Sequence, residues 1–313
     1  MSVDRRFRFA VLANQASSAQ SWLEQARTAE NLGYSGFLVP DHLGREWGPL
    51  VSLAAAAGAT ERIRLGTLML ATDLRHPLVL FKELATLAQF AGERLEIGLG
   101  AGWLAQDYER AGIPMAPPGA RIDRLAEATA ILKTLWQGGS LDHRGTYYTL
   151  TGAVGEPAPP DPATVKWVLG GGGRKMLSVA AEHADIINVS AQVSAAERGP
   201  SFFDSAGLAD FDQRHDWIRS RAGDRFADIE IQCLAQACAV TADRDRYASR
   251  ILSRMFGMDA ADALDSPLAL VGSVDQICAR LEHLRERLAM SYWVVPAAQL
   301  IPFSDVVARL AGK

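Results

Sequence analysis

The chain has 313 residues, 49% hydrophobic and 22% charged, with a formal net charge of −4. Such a composition suits a globular protein with a large core, and the length exceeds the ~250 residues of a plain eight-stranded β/α barrel. The basic residues are scattered along the chain, whereas a nucleic-acid footprint needs them gathered on one face, so that class is set aside.

Two ordinary domains would also fit this length. Cys233, Cys238 and Cys278 lack metal-ligand spacing, and their odd number argues against a disulfide framework. Buried, reduced thiols are the expectation. Met1 to Arg8 is charged without an apolar signal core, and no apolar run reaches the ~18 residues of a membrane span. A cytoplasmic protein without membrane or nucleic-acid partners is expected.

In chain order, eight short apolar runs read as strands: Phe9–Ala13, Gly36–Val39, Ile63–Leu70, Leu95–Leu99, Val165–Leu169, Asp185–Val189, Ile229–Val240 and Tyr292–Val295. Most lack polar alternation, the mark of parallel strands covered on both faces. Between them lie one-faced helical patterns. One carries Phe81, Leu84, Leu87, Ala88 and Ala91. A second carries Ile122, Leu125, Thr129, Leu132 and Trp136, with Arg121, Asp123, Arg124 and Glu127 on its wet side. A third carries Val274, Ile277, Leu281, Leu284 and Leu288.

Strand–helix alternation with eight strands predicts a closed β/α barrel over 1–313, an α/β fold of the TIM-barrel class. A doubly wound open sheet is the alternative. No glycine fingerprint follows the first strand, since Ala13-Asn14-Gln15-Ala16 cannot cradle a dinucleotide. Two insertions break the alternation. The first, about 137–164, contains strand-like Tyr147–Leu150 and reads as an excursion with a short hairpin. The second, about 190–228, reads as a lid or disordered connection with one helix near Phe211–Ser220.

Active sites of such barrels lie at the C-terminal strand ends. The second strand ends in Val39-Pro40-Asp41-His42-Leu43, and His42 is the strongest general acid/base candidate there. The structural alternative has Asp41 capping the next turn and His42 pairing with it. The third run ends at Arg75-His76-Pro77, where the proline suits the first turn of a helix. The fourth closes in Gly98-Leu99-Gly100-Ala101-Gly102-Trp103, glycines that permit close approach of a flat ligand or of another strand. The fifth runs into Gly170-Gly171-Gly172-Gly173-Arg174-Lys175 and a helix. Its exposed amides form an anion cradle at a helix N-terminus, although a plain flexible turn would read the same way. No clustered histidine and acidic ligands mark a metal site, so none is expected.

Further ordered stretches are Glu30-Asn31-Leu32-Gly33-Tyr34-Ser35, Leu65-Gly66-Thr67, Glu93 to Trp103, Gly119 to Leu125, Ala184-Asp185 and Val271-Gly272-Ser273. With the strand-end motifs, they make the chain similar to the bacterial-luciferase-like oxidoreductases over nearly its whole length. The closest resemblance is to their mycobacterial-type, deazaflavin-using branch. The resemblance implies an interrupted β/α barrel, often homodimeric, holding a deazaflavin (coenzyme F-420) or FMN at the C-terminal face. It implies that His42 handles protons beside the ring. The stretch matched by Leu68, Met69 and Ala71 would back the ring, often through a non-proline cis peptide. Gly100, Gly102 and Trp103 would adjoin the cofactor, and Gly170, Gly171, Gly172 and Gly173 would bind its phosphate. Arg174 and Lys175, with Arg75 a further candidate, would meet its acidic tail.

Trp47, Trp103, Tyr108 and Phe202-Phe203 would line a pocket for a mainly apolar organic substrate, or else pack as core. Sugar-phosphate dehydrogenases of this fold place a catalytic glutamate where this sequence has Trp103, and Asp107 and Glu109 are not clean substitutes, so that activity is not expected. Hydride transfer between a deazaflavin and an organic substrate is the expected reaction. The alternatives are an FMN-dependent monooxygenase and a cofactor-binding barrel without activity.

Overall fold

The computed structural model describes residues 5–192 and 205–313. Among these, eight parallel strands are ordered around a closed barrel: β1 (Arg8–Leu12), β2 (Gly36–Val39), β3 (Arg64–Thr67), β4 (Leu95–Gly100), β5 (Lys166–Gly171), β6 (Ile186–Val189), β7 (Glu230–Leu234) and β8 (Met290–Pro296). Closure comes from β8 pairing with β1, in register from Arg8–Tyr292 to Leu12–Pro296. Every residue of β2, β4 and β6 is buried, which explains their apolar character, interrupted only by Glu96 and Asn188.

Two of the eight runs end earlier than the sequence suggests. Ile63–Leu70 stops as a barrel strand at Thr67. The Leu68–Met69 peptide is cis, and Leu70–Ala71 then resumes pairing against Leu99–Gly100. Ile229–Val240 is two strands rather than one. Glu230–Leu234 enters the barrel, whereas Ala237–Val240 leaves it and pairs with Ala269–Gly272.

The three helical patterns form helices Pro77–Ala91, Pro118–Trp136 and Val274–Leu288, each burying its apolar stripe. The wet side assigned to the second needs correction. Arg121 is 5% exposed, with Nε on the Ala101 carbonyl at 3.2 Å. Arg124 meets Asp73 at 3.1 Å, and Glu127 accepts from His143 and from the amides of Tyr147 and Tyr148. Only Asp123 among the four is exposed. This helix also covers loops above the barrel, so its polar face is clamped as well.

In the first insertion, Ser140–Arg144 and Thr149–Val154 pair antiparallel, the expected hairpin. In the second, Leu208–Ala222 is helical; residues 193–204, with Phe202 and Phe203, lie outside the described residues. No helix of the described residues is long and apolar enough to cross a membrane.

The barrel interior is graded. At the strands' N-terminal ends, Arg8 and Arg64 ion-pair with Glu96, which is 1% exposed, and Tyr292 donates to the same carboxylate at 2.7 Å. Ala10, Leu38, Val168, Ile186, Tyr292 and Val294 form an apolar plug above. Beyond it, toward the C-terminal ends, the barrel opens.

Candidate active site

A cavity of about 870 Å³ occupies the C-terminal mouth, within the range of small-molecule sites. His42 lines it directly after β2. Its Nδ1 lies 2.7 Å from Oδ2 of Asp107, whose Oδ1 accepts from the Leu43 amide at 2.9 Å. A carboxylate only accepts, so the proton of this contact sits on Nδ1 and Nε2 remains for exchange. The Trp103 ring stands edge-on to the imidazole, 5.6 Å between centroids.

His42 does not pair with Asp41. Asp41 instead accepts from Arg75 Nη2 at 3.0 Å, Nη1 at 2.5 Å and the Ala71 amide at 2.9 Å. This ties the end of β2 to the stretch after β3, and it commits Arg75 to a structural pair rather than to a ligand tail. Asp107 is the residue that sequence reasoning undervalued. It lies 65 positions from His42, on helix Ala105–Ala111, and is 5% exposed. Glu109, two residues on, is exposed.

The expected ring-contact residues converge. Leu68, Met69, Ala71, Gly100, Gly102 and Trp103 all line the cavity. Gly102 has φ +71, and a Cβ there would lie 2.1 Å from the Tyr108 hydroxyl, so only glycine lets the chain turn away from β4 at this point. Tyr108 also lines the cavity, but it is 2% exposed, its hydroxyl spanning Asp73 at 3.1 Å and the Ala101 carbonyl at 3.2 Å. It is wall rather than mobile contact.

Gly170, Gly171, Gly172 and Gly173 form another side of the same cavity. Helix Arg174–His183 starts there with no side-chain cap among the described residues, which leaves its first amides open to a ligand or water. Besides Arg75, three of the residues expected at the site fall outside the lining. Trp47 stacks on Trp22 at 5.3 Å as core packing. Arg174 and Lys175 are exposed on the helix, and Lys175 is engaged by Asp123 at 2.6 Å and the Gly119 carbonyl at 3.0 Å. They lie one and two residues past the turn, where the helix already carries side chains outward.

The comparisons with known proteins agree with this frame. The chain is 36% identical over 134 residues to an F420-dependent glucose-6-phosphate dehydrogenase of Beutenbergia cavernae, covering 40% of each chain. It is 28% identical over 167 residues to an uncharacterized Mycobacterium tuberculosis protein, covering 46% of this chain and 57% of that one. These matches thus span about half of the relatives' lengths. Among solved structures, the coenzyme F420 dependent tetrahydromethanopterin reductase from Methanopyrus kandleri superposes with a TM-score of 0.75 at 18% identity, over 97% of this chain and 99% of that one. A long-chain alkane monooxygenase reaches 0.77 at 14% identity, over 98% and 91%. At such identities the agreement concerns the fold. The model of the luciferase-like monooxygenases matches residues 6–256, most of the chain, and the protein belongs to that family.

Proposed function

We propose that the protein is an oxidoreductase transferring a hydride between a deazaflavin, coenzyme F-420, and an organic substrate, with His42 as proton donor or acceptor. The observation that carries this reading is the convergence of the His42–Asp107 pair and the uncapped glycine turn on one cavity. Partial identity to a deazaflavin-dependent relative favours that cofactor over FMN.

The donor set fits such a group. The uncapped helix start at Gly173 suits a phosphate, and the glycines and apolar side chains from Leu68 to Trp103 suit a flat ring. When bound, the deazaflavin supplies the hydride chemistry at its carbon 5. Asp107 holds the imidazole in one tautomer and stabilises it when protonated, so that His42 exchanges its proton through Nε2. Leu104, Ile122 and Met255 join Trp103 around the remaining space, which supports a largely apolar substrate.

Spectral titration of the purified protein with deazaflavin and with FMN tests the cofactor. Tight binding of FMN alone reverses the reading in favour of a reduced-flavin monooxygenase. His42→Ala is expected to abolish turnover while leaving cofactor affinity unchanged. Undiminished turnover removes His42 from the mechanism. Stoichiometric cofactor binding without turnover across a broad acceptor screen points instead to a cofactor-holding barrel.

A further inference from the structure

The glycine turn rests on a buried arginine. Arg214, from helix Leu208–Ala222, is 3% exposed, and its Nε donates to the Gly172 carbonyl at 3.0 Å. Its guanidinium lies 4.9 Å from the Phe211 ring. Among the described residues no carboxylate forms an ion pair with it, and its Nη1 has no hydrogen-bond partner. Asp210, on the same helix, favours the charge from a distance but gives its Oδ2 to the Gly207 amide at 3.1 Å. Burial lowers the guanidinium pKa, and among the described residues no paired carboxylate offsets that cost.

We propose that Arg214 is the formal positive charge of the phosphate cradle, its counter-charge arriving with the anionic end of the cofactor at Gly172–Gly173. This rests on the phosphate reading of the turn given above. Peptide geometry supports it independently of charge. In a trans peptide the carbonyl and the following N–H point opposite ways. With the Gly172 carbonyl drawn to Arg214, the Gly173 N–H is turned to the other side, and Gly173 lines the cavity. Arg214 thus both orients a donor and adds positive potential behind it. The cations next to the turn in sequence are weaker candidates, since Lys175 is committed to Asp123 and Arg174 is exposed to screening by water, whereas Arg214 is buried against the turn itself.

The test compares ligands that differ only in the phosphorylated tail: FMN against riboflavin, and the deazaflavin cofactor against its phosphate-free ribityl deazaflavin. Binding to the full chain is followed by fluorescence. If the wild type prefers neither phosphorylated member, the phosphate reading itself fails and this inference falls with it. Given a preference, Arg214→Met is expected to weaken the phosphorylated ligand about tenfold or more and leave the other unchanged. Arg214→Lys keeps the charge without the forked guanidinium and is expected to fall between. No loss in the Met variant, or equal loss for both ligands, overturns the role of Arg214 and leaves the phosphate turn standing. Thermal unfolding of the ligand-free Met variant is the second readout. Removing a buried cation that lacks a counter-ion relieves its desolvation cost, which offsets the loss of its hydrogen bond to the Gly172 carbonyl, so little net change is expected. A midpoint clearly below wild type, or failure to fold, overturns the premise that the charge is unbalanced in the free protein.

Discussion

At the scale of single residues, the proposed proton exchange depends on which nitrogen of His42 carries the proton. Asp107 fixes this by holding Nδ1 at 2.7 Å while its second oxygen is anchored on the Leu43 amide. Asp107→Asn preserves shape but offers an amide that can donate to the ring, and so favours the wrong tautomer. Turnover is expected to fall by about 10²- to 10⁴-fold with little change in cofactor affinity. A kcat within a few-fold of wild type would mean that the pair is structural. His42 was legible because a histidine at a strand end is conspicuous. Asp107 was not, because nothing in the spacing of residues 65 positions apart announces a contact.

Elements bring such residues together, and strand spacing is their tightest constraint. A Cβ on Gly98 would lie 1.9 Å from the Thr67 carbonyl oxygen, and the Thr67 hydroxyl already bridges the two strands through the Gly98 carbonyl at 2.8 Å and amide at 3.0 Å. Gly98→Ala is therefore expected to force β3 and β4 apart at a cost of about 2–3 kcal/mol. Because β4 leads directly into Gly100, Gly102 and Trp103, cofactor affinity should fall together with the unfolding midpoint. Calorimetry and cofactor titration of the same variant check both. The helical patterns were readable because one face is apolar at regular spacing. The division of Ile229–Val240 was not, since two strands of similar composition differ only in what each pairs with.

For the molecule as a whole, the charged cluster at the closed end of the barrel sets the response to acid. Burial opposes ionisation of Glu96, yet Arg8, Arg64 and the Tyr292 hydroxyl together hold its carboxyl below the usual glutamate range. A carboxyl depressed in the folded state contributes stability above its unfolded value of about 4.3, and that stability is lost as pH falls through the lower folded value. Glu230, raised chiefly by burial, acts in the opposite sense. Glu96→Gln takes the shared carboxylate from two part-buried guanidinium groups, of which Arg8 keeps Glu230, and is expected to destabilise the fold by about 1–3 kcal/mol near neutrality. It should also flatten the loss of stability below about pH 4. Denaturant unfolding at several pH values measures both, and an unchanged acid limb would show that other carboxylates govern it.

The sequence alone determined the order of the barrel strands and of the amphipathic helices between them, and the glycine-rich and histidine positions at the C-terminal strand ends. These follow from periodicity and local backbone chemistry, which act over a few residues. Tertiary structure alone decided which charges are free and which are spent. Arg75 went to Asp41, Lys175 to Asp123 and Glu127 to the hairpin, while Arg214, unremarkable in the sequence, came to lie buried beneath the glycine turn. The reason is physical: a charge acts through its distance and dielectric surroundings, and neither exists until chain segments far apart in sequence have packed together.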